Sequence, residues 1–246
     1  MHRFFLPPNL FSQSEVIFPE DTARQMRSVL RLKPGQRVLA LDNQGFCYTL
    51  ELIEVGQQVR GSVVERQPAG GEPAVELTLY LGLTQREKFE WVLQKGTELG
   101  AAAFVPVITS RSLVQDSASP EKKTVRWQRI LQEAAEQSGR GLIPALGAAL
   151  HLDAALRDAQ KNHRLALIAW EGESSLSLRA ALESAPGEQP IAVFIGPEGG
   201  FSEEEIARAR AEGVQPVTLG PRILRMETAA LATVALVMYQ LGEMES

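Results

Sequence analysis

Hydrophobic positions follow two different rhythms along the chain. Up to about residue 65, short runs rich in apolar and β-branched residues at 3–6, 36–41, 46–54 and 58–65 predict strands, with turn chemistry at Asp42-Asn43-Gln44-Gly45 and at Gly56. Between the first two runs a helix is predicted from Pro19 or Glu20 to about Leu30. Strands this short and this closely connected predict a small β-barrel. Gln67-Pro68-Ala69-Gly70-Gly71-Glu72-Pro73 interrupts the pattern as a linker. From Val75 onward, apolar runs at 75–83, 103–108, 164–170, 191–195 and 216–219 alternate with helical periods, which predicts a parallel sheet covered on both faces. The expectation is an α/β chain of two domains, residues 1–70 and 73–246.

Three helices carry more than core positions. One is predicted after Ser119, with Pro120 in its first turn, and ends at Gly139. Along it Glu133, Glu136, Gln137 and, just past its end, Arg140 trace one polar stripe that is expected to emerge together. On an earlier helix Lys88, Trp91 and Lys95 share a stripe, which either meets a polyanion or covers an apolar surface with lysine stems. The last helix, about 227–241, is apolar nearly all round, so burial in the core and burial in a subunit interface compete.

Two strand ends hold the most distinctive residues. Ala192-Val193-Phe194-Ile195 runs into Gly196-Pro197-Glu198-Gly199-Gly200, whose glycines permit positive φ and close approach of backbone to a ligand. Ser202 with Glu205 makes a capping box, and Phe201 with Ile206 stands at staple spacing, so a helix start is well specified. Glu203, Glu204 and Glu205 in that first turn suit the helix dipole and repel a phosphate. No Gly-Lys-Ser/Thr follows the glycines and no G-x-G-x-x-G occurs, so neither a P-loop nor a dinucleotide fingerprint is present. A neutral or cationic ligand held by backbone groups fits better. About twenty residues on, Leu219-Gly220-Pro221-Arg222-Ile223-Leu224-Arg225-Met226-Glu227-Thr228-Ala229 again joins a strand end to a helix through a glycine- and proline-containing loop.

Composition narrows the class. At 246 residues, 44% hydrophobic and 22% charged, the chain can bury one large core or two modest ones. Its one cysteine, Cys47, excludes an internal disulfide framework, and His2, His151 and His163 are too scattered for a zinc site, so no metal is expected. Met1-His2-Arg3-Phe4-Phe5-Leu6 meets Pro7-Pro8 before an apolar signal region forms, and the longest apolar stretch, 229–239, is too short for a bilayer. No membrane association and a cytoplasmic location are therefore expected. The net charge of -5 is unevenly spread: residues 1–70 hold 8 Lys/Arg against 7 Asp/Glu, net +1, and residues 71–246 hold 17 against 23, net -6. Arg24, Arg27 and Arg31 fall at helical spacing with Lys33 just beyond, a stripe that is either a solvated face or a phosphate contact.

Together, the GPEGGFSEEE and LGPRILRMETAA segments are similar to the signature of the SPOUT class of S-adenosylmethionine-dependent RNA methyltransferases. More narrowly, they resemble the ribosomal RNA small subunit methyltransferase E family, which methylates N3 of a uridine in 16S ribosomal RNA. The likeness continues through Gln94-Lys95-Gly96-Thr97-Glu98-Leu99-Gly100, Glu133-Ala134-Ala135-Glu136-Gln137-Ser138-Gly139-Arg140 and Ser28-Val29-Leu30-Arg31, covering nearly the whole chain in family order. The resemblance implies S-adenosyl-L-methionine as cofactor, a PUA-like RNA-binding barrel in residues 1–70 and a SPOUT domain with a deep trefoil knot in residues 73–246. It also implies a homodimer, with small-subunit ribosomal RNA or the assembled 30S subunit as partner. Cofactor contacts are implied, mainly through backbone, at Ala169, Gly196, Pro197, Gly199, Gly200, Leu219, Gly220, Ile223 and Leu224; for the last four, ordinary strand-end packing is the alternative. RNA contact is implied for Arg24, Arg27, Arg31, Lys33, Lys88 and Lys95.

That reaction makes definite demands. N3 of uracil carries a proton at neutral pH, so the proton must be removed, or the anion stabilised, as the nucleophile lines up behind the methyl carbon. Arg140 and Arg225 suit the uracil oxygens, and Glu198 and Glu227 suit proton acceptance or substrate positioning. Each has a structural alternative: phosphate binding for the arginines, a loop brace for Glu198, and helix-dipole compensation for Glu227. Arg140 is also expected to be able to act across a dimer interface. A ribose 2′-O-methyltransferase of the same fold class and a non-catalytic RNA-binding module are the competing functions, and retention of both loop motifs disfavours the second.

Overall fold

The computed structural model describes residues 1–112, 123–184 and 190–245. Their backbone falls into two compact units, Met1–Glu72 with Ala135–Ile143, and Pro73–Ala134 with the chain from Pro144 onward. The return of Ala135–Ile143 to the first unit was not legible as a change of rhythm, because it happens inside one continuous helix.

In the first unit five strands, β1 (Arg3–Phe5), β2 (Glu15–Ile17), β3 (Arg37–Leu41), β4 (Phe46–Val55) and β5 (Val59–Pro68), pair in the order β1-β3-β4-β5-β2. Only β1 and β3 run parallel. Register shifts at Thr49/Leu50 and Leu52/Glu54 bend the long β4–β5 ladder around a core that includes Phe4, Val16, Met26, Val38, Leu50 and Val59. The barrel expected from short strands is, in its hydrogen bonding, an open sheet, because no pairing joins β1 to β2. The helix expected up to Leu30 is present as α1 (Glu20–Arg24) followed by a π-helical turn, Gln25–Val29. Leu32 N–H closes it on the Met26 carbonyl (3.0 Å), with Arg31 in the left-handed region at φ 52°, where glycine ordinarily sits.

The polar stripe expected at Glu133, Glu136, Gln137 and Arg140 breaks at its end. Arg140 is 4% exposed and turns inward, with its Nη2 2.6 Å from Glu72 Oε2, while the N–H groups of Gly141 and Leu142 donate to Glu72 Oε1 at 2.9 and 3.0 Å. Arg3 reaches the Gly139 carbonyl, and Glu136 Oε1 accepts the Phe5 N–H at 2.9 Å.

The second unit is a seven-stranded parallel sheet made of β6 (Leu77–Gly82), β7 (Ala103–Ile108), β8 (Ala145–Leu146), β9 (Leu150–His151), β10 (Leu165–Ala169), β11 (Ile191–Ile195) and β12 (Gln215–Val217). The order is β12-β10-β11-β6-β7-β8, with β9 also on β7. All six residues of β6 and all five of β11 are buried, as strands covered on both faces require. The helices are α2 (Arg86–Glu98), α3 (Thr124–Ser138), α4 (Leu152–Asn162), α5 (Leu178–Glu183), α6 (Glu203–Ala211) and α7 (Met226–Gln240). The start expected at Ser119 and Pro120 lies outside the described residues. The capping box opening α6 is formed as expected, with Ser202 Oγ and the Glu205 carboxylate each accepting the other's N–H. α7 packs on α2, β6 and β11 through Met226, Ala230, Val234, Val237 and Met238, and leaves Leu236 and Tyr239 exposed.

Glu72→Ala would remove a carboxylate that accepts from the buried Arg140 guanidinium and from the Gly141 and Leu142 N–H groups. A loss of about 3 kcal/mol in urea unfolding is expected; a loss below about 0.5 kcal/mol would mean that water or another acceptor replaces it.

Candidate functional site

In a parallel sheet the loops that can form a crevice lie at the carboxyl ends of the strands, most readily where neighbouring strands are not consecutive in sequence. Here β11 sits between β10 and β6, and the loops after β10, β11 and β12 converge at one edge. They enclose a cavity of about 340 Å³, within the range of small-molecule sites. One wall is Ala169, Trp170 and Glu171, a second Ile195 to Glu198, and a third the segment from Thr218 through the first turn of α7; Lys88 of α2 completes it.

Glycine geometry explains the tight loops. A Cβ on Gly82 would meet the backbone nitrogen of Pro197 at 2.5 Å, and one on Gly196 would meet Gly200 backbone atoms at 3.2 Å. Gly200 and Gly220 have φ values of 67° and 107°. Pro197 O accepts the Gly200 N–H at 2.9 Å and closes the turn.

Charge at the mouth is mixed. Lys88 Nζ lies 3.0 Å from Glu198 Oε1, with about a third of each side chain exposed. Burial pushes the Glu198 carboxyl up, but the Thr84 hydroxyl beside it, its own N–H and the Lys88 ammonium outweigh that and hold it below the usual carboxylate range. Glu227, in the first turn of α7, keeps one buried carboxylate oxygen, Oε2, without a hydrogen-bond partner. Arg222 and Arg225 line the cavity, are exposed and make no ion pair among the described residues. Ile223 is 88% exposed at the same rim.

Of the residues singled out in the sequence, Ala169, Gly196, Pro197, Leu219, Gly220, Ile223 and Leu224 line this cavity together, as do Glu198, Arg225, Glu227 and Lys88. Gly199 and Gly200 do not; the space their missing side chains would fill is taken by Arg111 and Glu171 respectively. Arg140 is not in the lining, and Lys95 is paired with Glu98 at 2.7 Å. In the first unit Arg24, Arg31 and Lys33 are exposed, whereas Arg27 is tied to Glu20 at 2.7 Å and to the Gln57 carbonyl at 3.2 Å. Sequence reasoning missed Glu171, Thr218, Arg222 and Met226. Their signal was positional: Glu171, Thr218 and Arg222 lie just beyond the end of a parallel strand or in the loop after it, and Met226 opens the helix that follows.

The RNA methyltransferase domain family matches residues 71–238 of the chain. The ribosomal RNA small subunit methyltransferase E of Bacillus subtilis is 34% identical over 220 residues, 87% of this chain and 85% of that protein. The same-named protein of Synechocystis is 33% identical over 234 residues, 95% of this chain and 76% of its own. The crystal structure of ribosomal RNA small subunit methyltransferase E from Neisseria gonorrhoeae bound to S-adenosyl methionine superposes with a TM-score of 0.86 at 31% identity, covering 97% of each chain.

Lys88→Met removes the ammonium that favours ionised Glu198, so the Glu198 pKa should rise toward the ordinary carboxylate value. A carboxyl-carbon NMR titration reads this directly; an unmoved or lower pKa would show that the ion pair has no hold on Glu198.

Proposed function

Since the chain belongs to the RNA methyltransferase family that includes the ribosomal RNA small subunit methyltransferases E, we propose that it transfers a methyl group from S-adenosylmethionine to N3 of a uridine in 16S ribosomal RNA. The observation that carries the reading is the cavity in which three loops from separate strand ends meet, lined by backbone on two sides and at its rim by Arg222 and Arg225, which make no ion pair among the described residues.

The lining suits such a cofactor. Ile195, Leu219, Leu224 and Met226 offer apolar surface to an adenine, and Ala169, Gly196 and Pro197 let backbone approach it. Glu171, Glu198 and Glu227 favour a ligand with positive groups, while Lys88, Arg222 and Arg225 suit carboxylate, phosphate or uracil oxygens. The unpartnered Glu227 Oε2 is an orphaned buried acceptor with room for one hydrogen-bond donor from a bound molecule. Gly199 and Gly200 contribute by shaping the loop, since their own faces are turned to Arg111 and Glu171.

When bound, S-adenosylmethionine supplies an electrophilic methyl group on a sulfonium centre. The protein's share is orientation and the N3 proton. Glu198 is already engaged by Lys88 and held ionised, so it braces the loop. Glu227 has acceptor capacity to spare and takes the proton or fixes the uracil edge. Arg225, exposed at the entrance to α7, stabilises the uracil oxygen on which negative charge accumulates. Arg140 is committed to Glu72, and its role here is to hold the turn after α3.

The first unit is proposed to act as a PUA-like RNA-binding domain. Arg24, Arg31 and Lys33 are exposed cations, and Arg31 keeps its side chain at a left-handed position where glycine would cost less, a sign that the guanidinium itself is needed. The convergence of the three loops supports a knotted SPOUT arrangement, and Leu236 and Tyr239 support a homodimer across α7, working in the cytoplasm on 30S RNA.

Three outcomes test this. Small-subunit RNA incubated with the protein and S-adenosylmethionine should acquire one strong reverse-transcription stop, with the methyl on the base fragment by nucleoside mass spectrometry; a methyl on the sugar fragment would refute the N3 assignment. Arg24→Ala with Arg31→Ala should weaken RNA binding and flatten its salt dependence while cofactor affinity holds, and an unchanged salt slope would reduce the stripe to a solvated face. Leu236→Asp should dissociate a dimer while leaving the fold intact, whereas Val237→Asp, a charge at a fully buried site, should unfold it. Sedimentation of the wild type as an active monomer would sink the dimer.

A further inference from the structure

The turn after β7 reaches the cofactor loop without entering the cavity. It is locked on itself: Ser112 N–H donates to the Thr109 carbonyl at 3.2 Å, Thr109 N–H donates to Ser112 Oγ at 3.0 Å, and the two hydroxyls lie 3.1 Å apart. From this base it grips the segment after β11 at two points. The Ser110 N–H donates to Glu205 Oε1 at 2.8 Å, while Glu205 Oε2 accepts the Ser202 N–H at 2.9 Å. The capping-box carboxylate, 1% exposed, is thus satisfied by main-chain donors from both segments. The second point is Arg111, whose Nη1 donates to the Gly199 carbonyl at 2.6 Å. Its stem fills the place of a Gly199 side chain, with Arg111 Cβ 3.1 Å and Cδ 3.3 Å from where that Cβ would stand.

The guanidinium also favours the ionised Glu204 carboxylate in the first turn of α6, but its hydrogen bond goes to the Gly199 carbonyl. The peptide it holds lies between two glycines, a linkage with little intrinsic constraint, and Gly200 is at φ 67°. The Gly200 N–H of the same peptide closes the turn on the Pro197 carbonyl at 2.9 Å, so rotating that peptide breaks the turn whose Gly196, Pro197 and Glu198 line the cavity. A loop that must be ordered on each binding event loses affinity, and a loop ordered beforehand does not. We propose that Arg111 is a positioning residue that presets the Gly196–Gly200 loop for S-adenosylmethionine and thereby sets cofactor affinity. The inference rests on the proposed cofactor and assigns Arg111 no contact with cofactor or RNA.

Arg111→Met keeps the stem and removes the donors; Arg111→Lys restores one cationic donor. Calorimetry with S-adenosylmethionine and S-adenosylhomocysteine should show Arg111→Met binding both about tenfold more weakly, as expected for loss of a charge-assisted hydrogen bond, with Arg111→Lys in between. The KM for S-adenosylmethionine should rise in parallel while kcat at saturation stays within about twofold. Wild-type affinity in Arg111→Met, whether accompanied by a lowered unfolding midpoint or by a fallen kcat, overturns the inference. A wild-type protein that binds neither compound overturns the proposed cofactor itself, and this inference with it.

Discussion

A single strand, Ile191–Ile195, inserted between two others that run parallel to it, imposes the geometry of the cavity. Its backbone is paired on both sides, with β10 and with β6, and its five side chains are buried. Burying Phe194 and Ile195 alone contributes about 2 kcal/mol each. A slip of register would turn every side chain to the opposite face and break the packing on both sides, so its carboxyl end is fixed. The chain must there turn through Gly196 and Pro197 between the end of β6, where Gly82 leaves no room for a Cβ, and the loops after β10 and β12. The cavity results from that crowding: three loops arrive at one edge and the glycines let them meet.

Holding the loops is a task partly separate from lining the cavity: Glu205 and Arg111 hold from behind, while the Lys88–Glu198 pair both braces and lines. Glu205, buried at the start of α6, accepts from Ser202 and Ser110; Arg111 grips Gly199; Lys88 holds Glu198. The side chains left unengaged at the rim, Arg222, Arg225 and one oxygen of Glu227, are those with capacity for a substrate. This division of labour accounts for the two roles of glycine here. Gly196 faces the cavity, whereas Gly199 makes space for the Arg111 stem behind it and Gly200 for the wall residue Glu171.

The sheet of the second unit was legible because its strands are continuous apolar runs bounded by turn residues, and 103–108 and 191–195 match to the residue. β2, β8 and β9, of two or three residues each, were not. Ser202 and Glu205 announced the start of α6 because a capping box is local. Arg140 misled for the opposite reason: its partner Glu72 is 68 residues away, and helical spacing predicts which face a residue shares but not whether a distant carboxylate turns it inward. At the site, glycine loops and charged residues could be read, while Glu171 and Arg111 matter through where the topology brings them. The open β1 and β2 edges likewise arise from pairing partners that no local pattern encodes.

Hydrogen exchange measured by mass spectrometry, with and without saturating S-adenosylhomocysteine, would show whether three strand-end loops together form the cofactor site. Exchange should slow in three separate segments at once, 169–171, 195–200 and 218–227, with the 46–68 ladder of the first unit unchanged. Protection confined to one of these segments, or appearing in the 46–68 ladder instead, would contradict a site built from all three loops.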